Sequence, residues 1–263
     1  MYLDKLSLIN FKNIAQQEIA PCEGINCFVG DNGAGKTNFI DAFHYLSMGK
    51  SAFGMTDGQC VRTGESFFTL DGEYVTSEGR HEHIVCTFAR GNGKVLKRNG
   101  KVYERLADHV GLIPVVIVAP SDTMLISDAA DERRRYINGF ISQIDREYLD
   151  ALMRYNAVLA ERNRFLKVSS DESMLEVYDA QLAAHGSKIH ARRTAVIDEL
   201  QPIVAEYYAR LSLDRETVNL RYRSELNERP LSELLAEYRQ RDIINQFTTT
   251  GVHRDDIVFT IGG

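Results

Sequence analysis

The chain has 263 residues, of which 44% are hydrophobic and 26% are charged, and its formal net charge is −6. This length allows one large domain or two smaller ones. The acidic balance argues against a protein that coats nucleic acid with a uniformly basic surface, although local basic stripes stay possible. No apolar run reaches the ~18 residues of a membrane span, and the N-terminus lacks the pattern of a secretory signal, so we predict a cytoplasmic protein.

The first 120 residues predict strands and tight turns around a single helix. Gly91-Asn92-Gly93 and Asn99-Gly100 are predicted hairpin turns, because glycine and asparagine tolerate positive φ angles. The helix is TNFIDAFHYLSMG, which Gly49 closes after the last apolar position. The predicted strands, in chain order, are LDKLSLINF, INCFV, FFTLDGEYV, HIVCTFAR, KVLKRNGKVYE and PVVIVAP.

From about Asp131 to Leu211 the pattern becomes helical, with apolar residues at spacings of three, four and seven. The stretch SSDESM breaks the run and offers an N-cap for a second long helix from about Glu172. Pro202 is expected to kink or end that helix, since proline has no backbone N–H to donate. The remaining predicted elements are a strand at TVNLRYRS, a short helix at RPLSELLAEYRQ and a strand at DDIVFTIGG.

The segment Gly30-Asp31-Asn32-Gly33-Ala34-Gly35-Lys36-Thr37 fits the phosphate-loop pattern GxxxxGK[ST] at every fixed position. It stands between a predicted strand and a predicted amphipathic helix, which is the context in which this loop binds phosphate. Its glycines let the backbone curl, so that successive N–H groups and the helix N-terminus point at one anion. We therefore predict a nucleoside triphosphate bound at residues 30–37, with Lys36 on the β and γ phosphates and the Thr37 hydroxyl on magnesium.

The loop alone does not select a reaction, because kinases, GTPases and ABC-type ATPases share it. A small-molecule kinase would alternate strand and helix throughout, whereas here several strands come before any helical region. No NKxD guanine motif is present.

Four stretches of the chain resemble the RecF family of bacterial recombination-mediator ATPases, which have an ABC-type head related to SMC proteins. The resemblance runs from residue 1 to residue 263 in the family's order. The phosphate loop is generic, while the stretches around ERRRYINGF and GVHRDD are far more specific. The four stretches are LSLINFKNI, VGDNGAGKTNFIDAFHYLSMGKS, PSDTMLISDAADERRRYINGFISQIDREYLDALMRYNAVLAERNRFLK and TTTGVHRDDIVFTIGG.

The resemblance implies an α/β P-loop NTPase fold of the ABC/SMC-head type. Its parts would be a mixed-sheet nucleotide lobe at 1–120, a helical lobe at 121–240 and a segment at 241–263 that returns to the first lobe. It also implies ATP and magnesium as cofactors, an ATP-dependent homodimer, and binding to single-stranded or gapped DNA with RecO and RecR-type partners. The implied processes are replication, recombinational repair and the SOS response. Two rival hypotheses are a P-loop small-molecule kinase and a scaffold whose shape the nucleotide fixes.

Further nucleotide contacts follow from the resemblance and from position. Lys12 and Asn13 follow the first strand at a turn that lies beside the phosphates in RecF-like heads, which implies a nucleotide contact; a solvated strand end is the alternative. Asn38 directly follows the loop, and it either touches the phosphates or caps a turn.

A basic stretch opens the helical region at Arg133, Arg134 and Arg135. Residues 133–167 contain eight Lys or Arg and four Asp or Glu, a local charge of +4. This charge predicts a stripe that faces DNA, and the alternative is a solvated helix face with i,i+4 ion pairs.

Two acidic positions need a separate interpretation. Asp122 ends an apolar stretch and mimics a magnesium-binding strand, but Pro120 and Ser121 intervene and no glutamate follows, so we do not assign it to a metal. The turn of residues 253–256, HRDD, either orders the return into the sheet or contacts DNA, and the sequence leaves both open.

In RecF-like proteins a signature segment and an apolar strand ending in Asp-Glu follow the GVHRDD stretch, whereas this chain stops at IVFTIGG. Aspartate would hold magnesium there and glutamate would orient the attacking water. We therefore expect a fragment that binds nucleotide but neither hydrolyses ATP at a family-like rate nor forms the ATP-dependent dimer. It should also leave apolar surface exposed.

Overall fold

A computed structural model describes residues 1–127 and 130–262 of the chain. The chain divides into two units, Met1–Ile117 and Val118–Gly263, each with its own hydrophobic core.

The first unit contains a six-stranded antiparallel sheet in the order β2-β1-β3-β4-β5-β6. Alternating apolar residues in β1 and β3 give each strand one buried face, with Leu6, Leu8, Phe68 and Leu70 fully inside. The strands are β1 Tyr2–Phe11, β2 Ile14–Ile19, β3 Phe67–Val75, β4 His81–Ala89, β5 Gly93–Arg98 and β6 Lys101–Val102.

One long helix packs on this sheet. Helix α1 spans Lys36–Met48 and ends as predicted at Gly49, whose N–H donates to Tyr45 O at 2.8 Å from a left-handed conformation. The Tyr45 ring meets Phe11 and Phe68 edge-on, with centroids 5.9 and 5.3 Å apart. Each such pair contributes ~0.5–1.5 kcal/mol beyond the area that it buries. A one-turn helix, α2 at Asp57–Cys60, carries a capping box made by Thr56 and Gln59.

Two predicted strands are absent from the described structure. INCFV and residues 114–119 of PVVIVAP adopt no regular secondary structure, and Ile25 and Val118 are 91% and 83% exposed. A strand forms only where a neighbour takes up its N–H and C=O groups, and no described strand pairs with either segment. Both segments therefore present apolar side chains to solvent.

The second unit is mainly helical, and its predicted long helices are confirmed. Asp171 caps α6 by accepting from Ser173 N at 2.9 Å, at the predicted break. Of the two predicted effects of Pro202, a kink or an end, the end is not observed, because α6 continues through this proline to Ser212. The helices are α3 Met124–Ser127, α4 Ala130–Ile144, α5 Arg146–Phe165, α6 Glu172–Ser212 and α7 Leu231–Asn245, and the strands are β7 Val218–Arg223 and β8 Asp256–Ile261.

Strand β8 lies in the second unit, and the return of residues 241–263 to the first lobe stays a prediction. It pairs antiparallel with β7 in a two-stranded sheet. Leu220 and Ile257 give this sheet its buried face, and both belong to the core of the second unit.

A buried charge cluster joins the helices of the second unit. Arg162 is fully buried in α5 and donates to Asp179 and Asp242, at 2.8 Å in both cases. Its Nη1 also donates to Thr248 Oγ1 at 2.8 Å. Removing one partner from a buried pair of this kind costs about 3–5 kcal/mol, because the other charge is left uncompensated.

Candidate nucleotide-binding site

The loop that precedes α1 is held in a tight curl by its glycines. Gly33 and Gly35 have φ angles of 84° and 101°, in the left-handed region that residues with a Cβ rarely adopt. Ala34 N donates to Asp31 O at 3.2 Å across the turn. The predicted loop residues Asp31, Asn32, Gly33 and Ala34 are all exposed, so the loop presents its backbone outward.

The N-terminus of α1 is open to an anion. Gly35 occupies the N-cap position, no side chain caps the helix there, and no acidic residue lies in the first turn. The first N–H groups of a helix have no intrahelical acceptor, and the helix dipole adds a partial positive charge at this end. Lys36 and the exposed Thr37 begin the helix at the same point. This combination of groups fits a phosphate chain with a hydrated metal ion.

The Lys36 side chain folds back over the loop. Its Nζ donates to Gly30 O at 2.7 Å and to Asp31 O at 2.8 Å. The ammonium group therefore lies against the same backbone whose glycines form the curl. It makes no ion pair in the described structure, so its positive charge is available to phosphate oxygens.

Asn13 and Asn38 form an amide bridge across the loop. Asn13 Nδ2 donates to Gly33 O at 3.0 Å, and Asn38 Nδ2 donates to Asn13 Oδ1 at 2.7 Å. A Cβ on Gly35 would lie 2.8 Å from Asn13 Oδ1, so the amide is packed against the loop. The bridge ties the turn after β1 to the loop and to α1. Nucleotide contact by either asparagine stays a prediction.

Lys12 occupies a different position from its neighbour. Its Nζ lies 2.6 Å from Asp41 Oδ2, and both side chains are buried. Ser51 Oγ and Ala52 N also donate to Asp41, at 2.7 Å each. The Lys12 ammonium lies 5.3 Å from the Phe53 ring centroid. Lys12 is thus not a solvated strand end, and its nucleotide contact stays a prediction.

An aromatic contact that the sequence reasoning missed anchors the segment before the loop. Phe28 stacks on Phe39 with centroids 5.6 Å apart and rings 14° from parallel, and its ring lies 6.0 Å from Phe43. Phe39 and Phe43 are one helical turn apart in α1. This i,i+4 spacing is the feature of the sequence from which an aromatic contact could have been predicted. Phe28 holds the otherwise exposed INCFV segment against the helix whose N-terminus forms the site.

The three arginines predicted to face DNA have different surroundings. Arg133 is 12% exposed and makes a bidentate pair with Asp256, at 2.7 and 3.2 Å. Arg134 donates to Asp255 O and to Asp131. Only Arg135 is well exposed, at 68%, and it pairs with Glu132 at 2.7 Å. The structure therefore presents one of the three guanidiniums to solvent, and DNA contact by the set stays a prediction.

Asp122 has a local role in a turn. Asp122 Oδ2 accepts from Ala119 N at 2.8 Å and closes the turn at residues 120–123. Within the described part of the chain, no group of three or more His, Cys, Asp or Glu side chains could hold a metal ion. Among the same residues, no helix has both the length and the apolar character needed to cross a bilayer.

Comparison with known proteins gives one consistent relationship. Residues 5–241 match the model of a family described as an AAA domain. The chain is 42% identical to the DNA replication and repair protein RecF of Parabacteroides distasonis over 264 aligned residues, covering 100% of this chain and 72% of that protein. It is 41% identical to RecF of Phocaeicola vulgatus, covering 100% and 71%.

Solved structures agree with the sequence relationship. A structure of the recombination mediator protein RecF of the RecFOR pathway, described as RecF-ATPrS, has a TM-score of 0.94 and 28% identity, covering 100% of this chain and 74% of that chain. The RecF-ATP structure of the same pathway gives 0.93 and 28%, with the same coverage. An SMC head bound to the winged-helix domain of ScpA has a TM-score of 0.53 at 16% identity, which shows likeness of fold alone. The predicted P-loop fold of the ABC/SMC-head type is confirmed.

Proposed function

Because this chain belongs to the RecF family of DNA replication and repair proteins, we propose that it is an ATP-binding repair protein that acts on single-stranded or gapped DNA. The observation that carries the proposal is the complete phosphate loop at the uncapped N-terminus of α1. Relatedness over the full chain to RecF, including a structure described as RecF-ATP, supports the same nucleotide. The kinase and the scaffold are not favoured, because the same relationship covers the second unit as well as the loop.

In this proposal the loop binds the phosphates of ATP. Backbone N–H groups of residues 30–37 would surround the phosphate oxygens, and Lys36 would exchange its two carbonyl acceptors for the β and γ phosphates. Thr37 would supply a hydroxyl ligand to magnesium, which neutralises phosphate charge. Asn13 and Asn38 keep the curl in shape through their bridge to Gly33.

The finer parts of the proposal concern partners and assembly. RecO and RecR-type proteins are proposed partners, since the related structures belong to the RecFOR pathway. An ATP-dependent homodimer is proposed on the same family relationship. Roles in recombinational repair and the SOS response, and the cytoplasm as the location, are proposed on the same family relationship.

Calorimetric titration with a non-hydrolysable ATP analogue tests the nucleotide site. Lys36→Ala removes a charge-assisted contact worth roughly 1.5–3 kcal/mol, so affinity should fall about ten- to a hundredfold. The matched control is Lys101→Ala, which removes an exposed lysine from β6 in the same unit. Equal affinity in the parent and Lys36→Ala, or an equal loss in the control, would contradict the assignment.

A further inference from the structure

Three of the four side chains of the HRDD turn, residues 253–256, make contacts within the second unit. His253 Nε2 lies 3.2 Å from Thr248 O, which can only accept, so this nitrogen carries the proton of the neutral ring. Its Nδ1 then accepts from the Tyr155 hydroxyl at 2.8 Å. These contacts fix the histidine within the unit and leave its ring no free nitrogen.

Both aspartates of the turn are also fully engaged. Asp255 accepts from the Tyr222 hydroxyl and lies 3.5 Å from Arg193 Nη1. Asp256 accepts from Arg133 and, at 3.1 Å, from Arg223. Three guanidiniums therefore surround two carboxylates, so the acids of the turn do not create a negative surface around it.

Arg254, the remaining member of the turn, is exposed. Its guanidinium lies 5.9 Å from the ring centroid of Phe247, which is itself 42% exposed. Among residues 1–127 and 130–262, no carboxylate pairs with it. Arg210 is a useful contrast, because it also lies over an exposed ring, Tyr207, but is neutralised by Glu206 at 2.5 Å.

The backbone beneath Arg254 is tightly constrained. Arg254 N donates to Gly251 O at 2.8 Å, and Gly251 has a φ of 117°. A Cβ on Gly251 would lie 2.5 Å from the Tyr155 hydroxyl, so the turn packs directly against α5. A guanidinium presented from such a turn loses less conformational freedom on binding than one on a mobile loop.

We propose that Arg254 and Phe247 together contact one nucleotide of a single-stranded nucleic acid. The guanidinium would bind the phosphate, and the exposed Phe247 ring would stack on the base. Every base has a stacking face, so this contact needs no sequence preference. The inference rests on the proposed DNA-binding function and adds the place and chemistry of one contact. Phosphate and base are favoured over an acidic protein segment, because an aromatic face beside an unpaired guanidinium suits both parts of a nucleotide.

The test is fluorescence anisotropy of a labelled oligothymidine at several salt concentrations, with ATP and magnesium present. Arg254→Gln should weaken binding about tenfold and reduce the slope of log K against log salt by about 0.7, the value for one phosphate on a single strand. Phe247→Leu should weaken binding about fivefold with the slope unchanged, since it removes stacking without charge. Arg210→Gln is the matched control and should leave both quantities unchanged.

The possible outcomes separate this inference from the proposed function. Binding by the parent with unchanged affinity in Arg254→Gln and Phe247→Leu would overturn the inference alone. Weaker DNA binding by Arg254→Gln together with unchanged binding by Phe247→Leu would show that only the charge of Arg254 contributes, and would overturn the stacking claim. If the parent binds ATP but not DNA, both this inference and the proposed DNA-binding function are overturned. Circular dichroism melts identical to the parent's establish that each variant is folded.

Discussion

At the scale of single residues, Gly35 is the most constrained position of the nucleotide site. Gly35→Ala would combine a disfavoured φ of 101° with a Cβ only 2.8 Å from Asn13 Oδ1. Gly33→Ala has a similar backbone problem but no atom within 4 Å of the new Cβ. Without nucleotide, Gly33→Ala should lower the free energy of unfolding by about 1 kcal/mol and Gly35→Ala by about 1–2 kcal/mol more. Urea denaturation measures both.

The excess cost of Gly35→Ala should depend on Asn13. To relieve the contact, Asn13 would have to give up its bonds to Gly33 and Asn38. In an Asn13→Ala background, Gly35→Ala should therefore cost no more than Gly33→Ala costs in the parent. An identical cost of Gly35→Ala in both backgrounds would show that the amide bridge does not press on the loop.

The neighbouring arginines of α4 should differ sharply in their effect on stability. Arg133→Gln removes the buried guanidinium that pairs with Asp256 and leaves this carboxylate the exposed Arg223 and the Ile257 N–H, so the free energy of unfolding should fall by about 3 kcal/mol. Arg135→Gln breaks an exposed pair with Glu132 and should cost less than about 1 kcal/mol. Chemical denaturation of the two variants measures both free energies of unfolding. Similar losses of stability would contradict the expected difference between Arg133 and Arg135.

His253 should make the second unit sensitive to acid. Burial lowers the pKa of His253 to about 4, assisted by the positive charges of Arg254 and Arg134, while the Thr248 carbonyl and Asp242 act in the opposite direction. The unfolded chain, with an ordinary histidine pKa of about 6.5, binds the proton first, so stability should fall as pH drops from about 6.5 to 4. The slope should approach about 1.4 kcal/mol per pH unit within that window.

His253→Gln provides the control for this pH dependence. Glutamine can keep one donor and one acceptor in place of the imidazole but does not titrate. Burial also lowers the pKa of His44 and His109, so the parent retains other sources of acid sensitivity. The relevant quantity is the difference in slope between parent and variant, measured by urea denaturation at pH 4.5 to 7. No difference would mean that His253 titrates normally.

The role of a single residue in the site could be predicted from the sequence only where the residue belongs to a spaced motif. The phosphate loop was predicted from residues 30–37 alone, because its glycines and lysine are a spaced pattern. The Asn13–Asn38 bridge and the Lys12–Asp41 pair join residues far apart in sequence, so no local pattern reveals them. The engaged state of Arg133 was missed for the same reason, since its partner Asp256 lies 123 positions away.

For helices, strands and turns, the sequence predicted the ends that depend on local residues. It did not predict whether an apolar segment finds a partner strand. Gly49, Asn99-Gly100 and Asp171 ended or began elements as predicted, because positive φ and side-chain capping are local properties. The apolar runs INCFV and PVVIVAP have strand composition, but the described structure offers them no partner strand. Helix α6 passes Pro202, which shows that the surrounding helix and its packing can outweigh one lost backbone hydrogen bond.

The two segments that lack a partner strand should be visible in amide hydrogen exchange. Backbone N–H groups at residues 25–29 and 116–118 lie outside any described strand and should exchange rapidly. The equally apolar strands β3 and β4 pair along nine residues each and should be the protected control. Mass spectrometry after short deuterium pulses compares the two sets. Equal protection would show that the two segments are paired in solution.

At the scale of the whole molecule, two folded units carry separate parts of the proposed function. The first holds the phosphate loop, and the second holds the HRDD turn and the exposed Arg254. The family and the ABC/SMC-type fold could be predicted because specific stretches occur in family order along the whole chain. The location of the proposed DNA contact could not be predicted, because several arginines of the basic stretch at 133–167 form ion pairs within the protein.

In the proposed function, ATP bound at residues 30–37 would control binding to DNA. The most direct measurement is the affinity of the 263-residue chain for a gapped DNA, with and without ATP, for the parent and for Lys36→Ala. ATP should strengthen DNA binding by the parent and leave that of Lys36→Ala unchanged. Absence of DNA binding, or binding by the parent that is identical with and without ATP, would contradict it.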